Sequence, residues 1–180
     1  MDKVKQEKLI TMAQERQDWY TFLGIVIGLT PAFSPIHEMG HIIVGTMMGN
    51  EVLRVWWTGV DFRDNLSMWN LIAGYTFEHY VWIFLASVWC VRWHRRGWFA
   101  YGVALAPAIK WWISQDRWMV ATNATLLADM ICVILFAIGV MAHRAVMFQY
   151  NPKLMRALSI RRYGRSRWQR QRGGETGTRG

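Results

Sequence analysis

His37, Glu38 and His41 stand in the stretch SPIHEMGHIIVG, Ser34 to Gly45. On a helix the two histidines project about 40° apart with a rise of roughly 6 Å, close enough for their imidazoles to share one Zn²⁺. Glu38 lies beside them. That combination suits hydrolysis: neutral imidazoles hold the ion, the ion lowers the pKa of its bound water towards about 7, and the carboxylate takes and returns the proton. Two imidazoles alone make a weak site, so a third protein ligand is expected.

The elements that must position these residues belong to a membrane. The chain has 180 residues, 53% hydrophobic, with 12 Trp and 11 Met, more Trp than a soluble domain of this size carries. Mean hydropathy is only +0.07 because charge is gathered at the two ends and in short loops. A helical span needs roughly 20 mostly apolar residues. Hydropathy predicts an all-α, polytopic membrane protein with about four transmembrane helices, near 20–48, 71–91, 98–113 and 124–142. Residues 1–19 read as a cytoplasmic polar arm, 20–143 as the membrane domain and 144–180 as a basic cytoplasmic tail, partly disordered. The first apolar run follows a mixed-charge arm and no cleavage pattern, so it is expected to stay as an anchor. Cys90 and Cys132 fall in apolar runs and read as small buried hydrophobes.

Lys and Arg set the orientation. Lys3, Lys5, Lys8 and Arg16 precede the first span, Arg92, Arg95 and Arg96 lie between the second and third, and ten more follow residue 143. These belong to the cytoplasmic side, which places both termini there and the loops at 49–70 and 114–123 outside. Trp19, Tyr20, Trp89, Trp93 and Trp98 then fall at the inner boundary and Trp56, Trp57, Trp69, Trp111, Trp112 and Trp118 at the outer one, as interfacial belts require. His94 and His143 are expected at the inner face, in contact with solvent or headgroups.

Inside a span an ionisable group costs roughly 2.5–3.5 kcal/mol, so those present are candidates for function. Counting from the outer ends at the helical rise, His41 and His37 lie roughly 10 and 16 Å deep, Asp129 roughly 8 Å, and Glu78 and His79 roughly 11 Å. Asp129, alone in ATLLADMICVILF, is the preferred third ligand, because an unpaired buried carboxylate otherwise tends to neutralise. Glu78 or His79 is the alternative ligand, or orients a ligand imidazole from behind; a plain interhelical hydrogen bond is the other reading of that pair. Pro31 and Pro35 predict a kink or restart near Ser34, with Ser34 as cap, opening room for water beside His37.

HEMGHIIVGTMMGNEVLRVWWTG resembles the first motif helix and following turn of the site-2 protease family, intramembrane zinc metallopeptidases. IAGYTFEHYVWIFLASV resembles the small-residue stretch that opens the next span, above all in the family's minimal, B-type relatives. The resemblance implies His37 and His41 as zinc ligands, Glu38 as general base, and an Asp from a later span as third ligand. Asp129 is followed by Met130 where that family commonly has Gly.

The expected function is therefore zinc-dependent endopeptidase action on membrane-embedded or membrane-proximal peptide bonds. The alternatives are a catalytically inactive scaffold or helix-binding protein with the same fold, and metal binding or transport without proteolysis. The tail NPKLMRALSIRRYGRSRWQRQRGGETGTRG is expected to meet anionic lipid headgroups, at roughly 1 kcal/mol per basic residue. Its arginines and single Trp offer nucleic acid only non-specific phosphate attraction, with no base-reading module.

Overall fold

The computed structural model describes residues 3–64, 66–120 and 124–150. Helix α1 (Lys3–Gly28) leads through a 3-10 turn (Pro31–Phe33) into α2 (Ser34–Met47). A two-stranded antiparallel hairpin follows, β1 (Val52–Trp56) and β2 (Gly59–Phe62), then α3 (Met68–Arg92), α4 (His94–Ile113), α5 (Gln115–Met119) and α6 (Thr125–Tyr150). The fold is mostly helical, but the expectation of an all-α chain is corrected by this hairpin, which lies in the segment that hydropathy leaves as a loop between spans. Its β-branched and aromatic residues flank the two-residue connection Trp57–Thr58, with Trp56 opposite Gly59, Val55 opposite Val60 and Arg54 opposite Asp61. An exposed Glu51–Arg63 ion pair closes its base.

The single apolar run at 20–48 is two helices. Thr30 and Pro31 break it, and the segments Thr11–Gly28 and Pro31–Met47 meet at 73°. Thr30 Oγ1 accepts the Ala32 N–H and caps the 3-10 turn. Ser34 is not the cap expected of it. It is already helical and donates its backbone N–H to the Pro31 carbonyl, so the turn runs directly into α2 without a side-chain cap. α2 ends on Gly49, whose φ of +85° closes a Schellman motif: Asn50 N–H donates to Gly45 O at 2.9 Å and Gly49 N–H to Thr46 O at 3.0 Å.

By length and composition two helices can cross a membrane, α3 and Thr125–Gln149 of α6, or three if the bent α1–α2 pair counts as one. α4, expected as the third of four spans, is not among them. It packs between α1 and α3, with Ala100, Val103, Ala104 and Ala106 fully buried, so neighbouring helices rather than lipid set its composition. Small residues bring it close to α1. A Cβ on Gly24 would strike the Phe99 carbonyl, and one on Gly102 the Thr21 carbonyl. Gly102→Ala should therefore cost about 1–3 kcal/mol by overpacking, read as a lower melting midpoint in detergent. Cys90 and Cys132 are buried, as expected. The outward faces of α1 and α6 carry exposed Trp19, Phe22, Leu126, Met130 and Val133.

His143 corrects another expectation. It is buried, 2.9 Å by Nδ1 from Ser87 Oγ and stacked on Tyr101, because α6 continues past it and turns it towards α3 and α4. The basic tail beyond residue 150 and the side chain of His94 lie outside the described residues.

Candidate metal centre

α2 runs antiparallel to α3, with Gly40 pressed on the Ala73 carbonyl and the Phe77 side chain. This close approach places both histidines of α2 over α3. His41 is fixed from both ends: its Nδ1 lies 2.7 Å from the Asn70 backbone carbonyl, and the Asn70 side-chain amide donates back to the His41 carbonyl at 3.0 Å. Facing a carbonyl, Nδ1 carries the proton, which leaves Nε2 as a bare lone pair. His37 Nδ1 lies 3.6 Å from Glu78 Oε2. A carboxylate there favours Nδ1–H for the same reason, and His37 Nε2 points at His41 Nε2 across 3.0 Å.

The third group is Asp116, on the short α5. Its Oδ2 lies 3.7 Å from each histidine Nε2 and accepts the Tyr75 hydroxyl at 2.9 Å. Burial works to raise the Asp116 carboxyl, but the attraction of His37, then of His41 and the Tyr75 hydroxyl, outweighs it and holds the group below the ordinary carboxylate range. One ligand atom from each of His37, His41 and Asp116 falls within 4.8 Å of the others. Bonds of about 2.0–2.1 Å to tetrahedral zinc put ligand atoms about 3.3 Å apart, so shifts of a few tenths of an ångström suffice. Apart from the Tyr75 hydroxyl, which donates to Asp116, no donor stands among these three acceptors, and a positive charge between them, a metal ion or a proton, would satisfy the arrangement. The donor set of two imidazoles and a carboxylate suits zinc.

Glu38 is 8% exposed and lines, with His37, His41 and Asp116, an open cavity of about 460 Å³. The cavity begins at the α1–α2 break, beside Thr30, Pro31 and Ser34, and extends under Trp56 and Val60 of the hairpin. The proline break thus provides the room for water that its position in the sequence suggested.

Asp129 is not brought to the histidines. Arg117 grips it by two parallel bonds, Nε to Oδ1 at 2.9 Å and Nη2 to Oδ2 at 2.8 Å, and Trp111 Nε1 donates to Oδ1 at 2.9 Å. The carboxylate that the sequence leaves unpaired has a partner twelve residues earlier, on α5. Glu78 stands behind His37 and is itself paired, with Lys110 Nζ at 2.9 Å. His79, one residue on, faces the other way: its Nδ1 donates to the Ala104 carbonyl at 2.5 Å, and its ring packs on Phe136.

Asp116 was missed because ligands were sought only within spans, at depths counted from span ends assumed level. α2 overshoots. His41 is opposite Asn70, the third residue of α3, so it stands at the N-terminal end of α3 rather than about 10 Å along it, within reach of the 114–119 connection. The sequence did carry a signal: Asp116 falls two residues after Ser114, whose Oγ caps α5, and follows directly on a helix end.

No family model, curated protein or solved structure matches the chain.

Proposed function

We propose that the protein is a zinc-dependent intramembrane endopeptidase of the kind its motifs resemble, the site-2 protease family, with His37, His41 and Asp116 holding the ion and Glu38 as general base. The observation that carries this reading is the convergence of three acceptor atoms beside Glu38 in an open cavity. Zinc bound there supplies the Lewis acidity that makes water nucleophilic near neutral pH and polarises a peptide carbonyl. Glu38 accepts a proton from the attacking water and returns it to the leaving amine. Asn70 holds the His41 ring, and Glu78, neutralised by Lys110, holds His37 from behind, which keeps each Nε2 turned inward.

The finer topology belongs to this proposal: a multi-pass protein with both termini cytoplasmic and the site towards the outer boundary. Chain directions support it. Gly24 and Gly28 of α1 meet α4 in parallel order, α3 is antiparallel to α4, and α6 is parallel to α3, through Tyr80–Leu135 and Ser87–His143. The proposed substrate is a transmembrane or membrane-proximal peptide, with anionic lipid headgroups as the partner of the basic tail.

The test is zinc content of the full chain purified in detergent. About one zinc per chain is expected. Sharing the 10–16 kcal/mol of a four-ligand site evenly gives roughly 3–4 kcal/mol per ligand, so Asp116→Ala should weaken zinc by about 100- to 1,000-fold. Zinc near zero in the unaltered protein would overturn the reading.

A further inference from the structure

The geometry points to Arg117 and Asp129 as positioning residues for the metal centre: their ion pair anchors α5 and so holds Asp116 against His37 and His41. This rests on the metal reading above and concerns residues that touch no ligand position. α5 has five residues, too few for a helix to hold itself in place. Neighbours on a helix point about 100° apart, so Asp116 can face the histidines while Arg117 faces α6. Arg117 is held more firmly than a surface arginine. Two parallel bonds tie it to Asp129, and its guanidinium lies 4.9 Å from the Trp112 ring centre and 5.5 Å from that of Trp118. Asp129 is fixed in turn by the fully buried Trp111. A bidentate guanidinium–carboxylate pair sets orientation as well as distance. α4, α5 and α6 are therefore locked together next to the residue that completes the site, and Asp116 has only the Tyr75 hydroxyl as a further hydrogen-bond anchor among the described residues.

The experiment uses the full chain in detergent with zinc alone, Co²⁺ alone, and no metal. Asp129→Asn keeps an acceptor for Trp111 and removes the charge; Arg117→Gln tests the same pair from its outer member should the first variant fail to fold. Each should weaken zinc by about 10- to 100-fold and dim the visible Co²⁺ band as coordination loosens. In an Asp116→Ala background either change should weaken zinc less than about twofold, because the pair acts through Asp116. Amide exchange at 115–119 should quicken in both variants without metal. Unchanged affinity with unchanged exchange in a zinc-binding protein would overturn the anchor and leave the metal reading standing. So would weakening that persists in full without Asp116, the mark of a general structural role. Should the unaltered protein bind no zinc, the metal reading fails and the exchange decides alone: quickened, α5 is anchored as described; unchanged, it is not.

Discussion

Glu38→Gln should leave about one zinc per chain in place and slow peptide hydrolysis by about 10²–10⁴-fold, the usual worth of a positioned general base. The reason is a contrast among carboxylates. Glu78 is paired with Lys110, Asp129 with Arg117, and Asp116 accepts from Tyr75. Glu38 is as buried as Asp129, yet among the described residues it makes no salt bridge, and it lines the open cavity. A buried carboxylate without a cation is costly unless it serves something, and under the proposed reading that service is proton transfer. Glutamine keeps the shape and loses the basicity, so metal binding and catalysis should separate. Zinc content and single-turnover cleavage of quenched-fluorescent peptides that span the outer membrane boundary are the paired measurements. Cleavage within about threefold of the unaltered rate would remove Glu38 as the base, whereas loss of zinc would make it part of the metal's support.

The motif helix was legible because its signal is local. His37, Glu38 and His41 are fixed relative to one another by one helical turn, and the prolines ahead of them mark the break that the structure shows at 73°. Glu78 was legible as a neighbour of His37 because residues deep in two adjacent helices share a layer. The choice between the two acids is not legible in the same way. Asp129 and Asp116 are thirteen positions apart, and which of them reaches the histidines depends on how far α2 overshoots α3 and on which acid Arg117 captures. Neither quantity is written in hydropathy. The hairpin is lost to hydropathy for a related reason: VLRVW and GVDF are too short to stand out between spans, and Trp56, Gly59, Val60 and Phe62 gain their place by lining the cavity.

Gly74→Ala should abolish zinc binding without removing a ligand. Gly74 lies on α3 directly under the two histidines; an added Cβ would collide with His41 Nε2 and come 2.7 Å from both Nε2 and Cε1 of His37. The space a methyl would fill is the space between the metal-facing nitrogens. α2 cannot simply retreat, because Gly40 already holds it on the α3 backbone and the Asn70 amide holds the His41 carbonyl. The rings must turn instead, which compromises two ligands at roughly 3–4 kcal/mol each, a weakening of about 10⁴- to 10⁶-fold. The metal-free protein should respond far less. Within a helix Ala is favoured over Gly by about 1 kcal/mol, which offsets part of the roughly 1–3 kcal/mol that overpacking the two rings costs, so the melting midpoint without metal should fall only by a few degrees. Loss of zinc with a metal-free protein that still melts cooperatively is the signature of a site blocked rather than a fold broken. Full zinc occupancy in Gly74→Ala would mean that the ion, if bound, does not sit where the two Nε2 atoms converge. The A-G-Y sequence thus has a physical reading: the glycine keeps α3 clear of the imidazoles of α2, and the tyrosine that follows reaches the Asp116 carboxylate beside them.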